Sequence, residues 1–159
     1  MNKFKYANIK DPRAYADATI QHSYRVVQLR GPFARLAQQL MEEGDTTRAK
    51  QALAFGLEEV PFSKIAHSYD STLPVVETYY KMNQPEKANE VLNEWAYILK
   101  QHMFYYSQFT GAKWKSVERE FDEDVYMLYE LYKLATKYKQ TAIMEEMETY
   151  FKQCGLMEE

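Results

Sequence analysis

The chain has 159 residues, 46% of them hydrophobic and 27% charged, with a net charge of −3. That composition suits one folded domain with its own core and argues against disorder. The slight acidity offers no basic footprint for nucleic acid, a single cysteine excludes an internal disulfide, and no stretch nears the ~20 apolar residues that span a bilayer.

Five Gly and five Pro are too few for a many-turned β-sandwich and leave room for long helices. Residues 1–19 read as an irregular N-terminal arm, with Asp11-Pro12 as a helix-start signal. From residue 20 to 43 the reading is helical, with a break at Gly31-Pro32. Phe33, Leu36, Ala37 and Leu40 recur at three and four residues, one face of a helix. Gly44 stops that helix and Asp45 caps the next. There Ala49, Ala52, Leu53, Gly56 and Val60 share a stripe that Pro61 ends. Residues 20–61 are therefore a first helix pair, antiparallel because the turn is so short.

The pattern recurs over 68–110. Val75, Val76, Tyr79 and Tyr80 face one way on a helix that ends near Asn83. Gln84 takes the cap position and Pro85 the first turn, where a missing N–H costs little. Ala88, Val91, Leu92, Trp95, Leu99, Met103 and Tyr106 then line a long helix reaching about Phe109. A third, degenerate pair spans 114–155. Its first stripe is Phe121, Val125, Leu128, Tyr132 and Ala135. Its second is Ile143, Met144, Met147, Tyr150, Phe151 and Cys154, with Thr141 as its candidate N-cap and Gly155 closing it. The expected fold is all-α: one domain over 1–159 built from antiparallel helix pairs.

Aligned by their turns, Gly44-Asp45-Thr46-Thr47-Arg48-Ala49 matches Asn83-Gln84-Pro85-Glu86-Lys87-Ala88, an offset of 39 residues. The first unit resembles a tetratricopeptide repeat through Leu36-Ala37, Leu40, Gly44, Ala49, Leu53, Gly56 and Pro61. The second departs from it at Asn83, Val76 and Trp95, and the third keeps only the habit of helix pairing. The resemblance implies a right-handed α-α superhelix in which the first helix of each pair lines a concave groove. Carried onto this chain, Gln38, Met41 and Glu42 would line that groove in the first unit, and Glu77, Tyr80 and Lys81 in the second.

A narrower resemblance covers residues 20–110. Phe33-Ala34-Arg35-Leu36-Ala37, the Glu43-Gly44 turn, Pro61, Asp70, Glu77-Thr78-Tyr79-Tyr80, Glu86-Lys87-Ala88-Asn89 and Tyr105-Tyr106-Ser107 carry it. Together they resemble the C-terminal helical region of a family of multi-pass bacterial membrane proteins of Bacteroides-type species. That family's membrane part is a domain of unknown function similar to protein O-mannosyltransferases. The resemblance implies a soluble tail of a membrane protein, tethered on the periplasmic side. Any glycosyl-transfer chemistry would sit in the parent's membrane part.

The residues themselves point to little chemistry. His22, His67 and His102 are too widely spaced for a helical metal site. Glu118, Glu120, Asp122, Glu123 and Asp124 open an amphipathic helix, where carboxylates favour the positive end of its dipole. Cys154 reads as a packing residue. Arg25, Arg30 and Arg35 step by five and form no tight stripe, so solvated arginines or intrachain pairs are expected. Tyr97, Phe104, Tyr105, Tyr106, Phe109 and Trp114 read either as core shared with the last pair or as an exposed docking patch.

No catalytic residue, cofactor or metal is expected. The expected function is a non-catalytic interaction or bracing module. Its partner would be a protein, a peptide or the parent's own membrane domain. The alternative is a regulatory or substrate-positioning domain of a glycosyltransferase-like membrane enzyme.

Overall fold

The computed structural model describes residues 9–14 and 28–156. The expectations for the N-terminal arm, for the helix before Gly31, and for His22 and Arg25 fall wholly or mostly outside them. Among the described residues all regular structure is helical. In chain order the helices are α1 (Gly31–Glu42), α2 (Thr46–Glu59), α3 (Tyr69–Lys81), α4 (Pro85–Tyr106), α5 (Ala112–Lys115), α6 (Glu118–Lys137) and α7 (Thr141–Gln153). The break read at Gly31-Pro32 is the start of α1, with Pro32 in its first turn. No helix among the described residues is long and apolar enough to cross a membrane.

One turn design joins α1 to α2, α3 to α4 and α6 to α7. Gly44, Asn83 and Lys139 each take a positive φ, of 81°, 55° and 56°. The residue after each donates its N–H five residues back: Asp45 to Leu40 O at 2.8 Å, Gln84 to Tyr79 O at 3.0 Å, and Gln140 to Ala135 O at 2.9 Å. This closes the orphan carbonyls at the helix end. Asp45 then caps α2 by accepting from the Arg48 N–H at 2.9 Å. In the third turn Gln140 is the cap and Thr141 the first helical residue, one position later than Thr141 was expected to act.

The chain divides into two compact units, residues 1–89 and 90–159, with the boundary inside α4. In the first unit α1 packs on both α2 and α3. Its core gathers Ala34, Ala37, Leu40, Ala49, Ala52, Leu53, Val75 and Met82. Four of these are alanines, so the backbones approach closely. A Cβ on Gly56 would collide with Phe33, whose ring meets Phe55 edge-on at 5.7 Å. The stripe read through Leu36 is corrected here. Leu36 is 42% exposed, and Ala34 is the buried residue. The close approach of α1 to its neighbours selects small side chains over large ones.

In the second unit α6 packs on α7. Leu128, Leu131 and Ala135 of α6 are buried, as are Ile143, Met147 and Phe151 of α7. Within α4, Val91, Leu92, Trp95, Ala96, Leu99 and Met103 are buried. Cys154, read as a packing residue, is exposed at the C-terminal end of α7. It lies beyond the last buried turn, so the helical stripe outruns the core.

Candidate functional site

α3 holds Pro74 in its interior. A proline there has no N–H for the carbonyl one turn back, which is that of Asp70. α1 comes close at this place: a Cβ on Gly31 would sit 2.8 Å from the Asp70 carbonyl oxygen. One turn on, Thr78 donates its hydroxyl to Pro74 O at 2.5 Å and accepts from Gln38 Nε2 at 2.8 Å. Gln38 therefore braces α1 against α3 rather than facing an open groove.

The other expected groove residues divide between interior and surface. Tyr80 is 7% exposed, and its hydroxyl donates to Asn89 Oδ1 at 2.6 Å. Met41 packs against the first core. Glu42 and Lys81 are exposed, and Glu77 lies 3.7 Å from Lys81. Three of the six thus serve the unit's own packing, while Glu42, Glu77 and Lys81 meet solvent.

Arg30 is 1% exposed. Its guanidinium donates to Ile65 O at 2.9 Å and also to Ala66 O. It stacks over Phe62 at 4.1 Å, and Phe62 stacks on His67 with ring centroids 4.4 Å apart. One cation so fixes the connection between α2 and α3. Burial, then the nearby Arg30 charge, push the His67 pKa down to about 3, so the ring is neutral.

The second unit brings together groups that the sequence leaves far apart. His102 Nδ1 of α4 lies 3.2 Å from Asp124 Oδ2 of α6. Burial raises the Asp124 pKa above the usual carboxylate value, and the His102 charge opposes that. A His–Asp pair can orient a general base for a neighbouring nucleophile. The neighbour here is Tyr106, its ring 6.1 Å from His102. Burial, followed by Asp124 and Glu120, raises the Tyr106 pKa. The phenol stays protonated at neutral pH and is a poor nucleophile. Of the acidic run, Asp124 alone turns into a side-chain pair with a histidine, which spacing along one helix does not reveal. No group of three His, Cys, Asp or Glu side chains among the described residues could hold a metal ion.

The aromatic stretch resolves unevenly. Tyr97, Phe104 and Tyr105 are exposed, by 62%, 70% and 57%. Tyr106, Phe109 and Trp114 are half-buried; Phe109 meets Tyr105 edge-on at 5.0 Å and Trp114 meets Phe121 at 5.2 Å. A second aromatic surface lies on α6 and the C-terminal end of the chain's described residues. Tyr126, Tyr129 and Leu156 are exposed and, with Asp122, Val125 and Phe151, line a recess of ≈ 300 Å³. The legible signal was Tyr126 and Tyr129 lying outside the stripe of Val125, Leu128 and Tyr132.

No family model matches this sequence, and neither a curated protein nor a solved structure matches it.

Proposed function

We propose that this chain is a non-catalytic protein-interaction module with tetratricopeptide-like helix pairing, the soluble tail of a larger membrane protein. The observation that carries it is the run of exposed rings in residues 90–159: Tyr97, Phe104, Tyr105, Tyr126 and Tyr129. Large apolar groups left in water at such density mark a surface that is covered in use. Tyrosine suits that role, because its ring is apolar and its hydroxyl keeps it soluble when uncovered.

Two features support the repeat reading. The same left-handed turn closes three successive helix pairs. α1 also neighbours both its own partner and the first helix of the next pair, the arrangement from which helical arrays are stacked. The membrane setting rests on the resemblance of residues 20–110 to the helical region of that bacterial family.

Site-specific photocrosslinking in the native cell tests the reading, with benzoylphenylalanine in place of Phe104 or, as a control, of Lys50. A discrete crosslinked protein from position 104 and none from position 50 is the expected result. A crosslink confined to a glycosyl-transfer enzyme would move the reading to a substrate-positioning domain. No crosslink from positions 97, 104 or 126 would overturn it.

A further inference from the structure

The Tyr126 recess has a chemistry more specific than an apolar patch. Glu118, Asp122 and Tyr126 follow at four-residue steps along α6, so they stand on one stripe of the helix. Two carboxylates one turn apart therefore lead into two half-exposed rings. Arg119 turns to Glu120 and Glu123, at 3.6 and 3.7 Å, and no cation among the described residues pairs with Asp122. Asp122 is the one charged side chain in the lining; the rest are Val125, Tyr126, Tyr129, Phe151 and Leu156.

The Tyr129 ring is held in place from below. Tyr129 stacks on Tyr132 at 6.1 Å and tilts over Phe151 at 6.5 Å, and Phe151 is buried. Outside the recess, Lys133 Nζ pairs with Glu130 at 2.6 Å and lies 5.7 Å from the Tyr129 ring centroid. Aromatic faces beside a carboxylate are the setting in which an ammonium or guanidinium is attracted to a π-system. The apolar walls would take the aliphatic stem of the same side chain.

We propose that this recess binds the arginine or lysine side chain of a partner peptide. The cation lies between the Asp122 carboxylate and the Tyr126 ring, and the stem lies along Val125, Phe151 and Leu156. The proposal deepens the interaction-module reading and rests on it. Charge complementarity decides the occupant. The one charged side chain lining the recess, Asp122, is a carboxylate, so an acidic peptide would be repelled and an uncharged one would leave Asp122 unmatched.

The test is a titration of the isotope-labelled full chain, followed by NMR at the Val125 and Leu156 methyls and the tyrosine rings. The probes are three peptides, acetyl-Gly-Leu-Xaa-Leu-Gly-amide, with arginine, norleucine or glutamate at Xaa. The arginine peptide is expected to shift these signals in a saturable way. The norleucine peptide should bind about tenfold more weakly and the glutamate peptide not at all. Asp122→Asn should weaken the arginine peptide about threefold to fivefold, and added salt should weaken it further. Tyr126→Leu keeps the apolar wall and should cost about threefold.

Equal binding of arginine and norleucine peptides would overturn the proposal while leaving an apolar docking surface. Failure of all three peptides would overturn it too. The crosslink from position 104 is independent of this recess, so it reports separately on the interaction-module reading.

Discussion

Among the described residues of 1–89 the largest fully buried side chain is Arg30, and Ser71, Thr72 and Thr78 are buried with it. Among the described residues of 90–159 the buried set is apolar, and six large hydrophobic side chains there stand exposed against two among the described residues of the first unit. Charge divides the same way. The first unit has twelve Lys/Arg against ten Asp/Glu, and the second has eight against thirteen. Buried hydrogen bonds are directional, so the first unit's polar interior specifies one geometry. The second unit keeps its aromatic and acidic groups where a partner could reach them. On the proposed reading the difference separates a bracing part from a meeting surface, and it can be broken experimentally.

The largest expected effect belongs to Arg30. Arg30→Met keeps the stem but removes the donors to Ile65 O and Ala66 O. Two carbonyls then lose their partner, at a cost of about 3 kcal/mol. Tryptophan fluorescence would be a poor probe, because the chain's two tryptophans, Trp95 and Trp114, both lie in the second unit. Amide hydrogen exchange reads each unit separately. Protection should fall in α1–α3 and hold in α6 and α7. An equal loss in α6 and α7 would mean that the two units unfold as one.

Gly56→Ala comes next. The new methyl would strike the Cβ and ring of Phe33 near its root, where the side chain cannot swing clear. Overpacking of this kind costs about 2 kcal/mol, again read from exchange in α1 and α2. A neutral result would show that α1 and α2 can part by a few tenths of an ångström, and the alanine-rich core would not be a close-approach device.

Much of this fold was legible in the sequence, and the limits have physical causes. Gly44, Asp45 and Pro85 announce their turns because each residue type is selected by a backbone requirement. Lys139 does not, since a lysine at positive φ is stabilised by hydrogen bonds around it and carries no compositional mark. Leu36 misled because periodicity finds large residues, whereas a close helix approach buries the small ones. The hydrogen bonds of Gln38 and Tyr80 are not legible in the sequence because their partners, Thr78 and Asn89, become neighbours only after folding or across a turn. His102 and Asp124 lie 22 residues apart on different helices, so no spacing rule joins them. All-α architecture survives these errors because it rests on many weak signals, while a site rests on a few.

Acidification should act through His67 and through Asp124 with opposite sign. His67 has a folded pKa of about 3 against an ordinary 6.5. Its unfolded form takes up a proton first, so the stability it supports is complete above pH 6.5 and is lost as pH falls toward 3. Between pH 7 and 5 the loss should be about 1 kcal/mol, allowing for incomplete burial. Asp124 is raised instead, so ionising it costs the folded state as pH rises above the usual carboxylate range. His67→Phe, which preserves the stack on Phe62, should flatten the acid-side exchange profile of the first unit alone. A slope that survives this substitution would place the titrating group elsewhere.

The smallest expected effect is the most discriminating. Phe104 is 70% exposed, so Phe104→Ser should change stability by less than about 0.5 kcal/mol. If the ring exists to be covered by a partner, the same change should abolish the native-cell crosslink from benzoylphenylalanine at Tyr97, about two turns away on the same side of the helix, without disturbing exchange in α4. A loss of 2 kcal/mol or more would mean that the ring packs within its own unit. The exposed run would then be part of the core's edge, and the contrast between a bracing part and a meeting surface would lose its main support. A stable variant with an unchanged crosslink would instead confine the meeting surface to Tyr126 and Tyr129, where the peptide titration already looks.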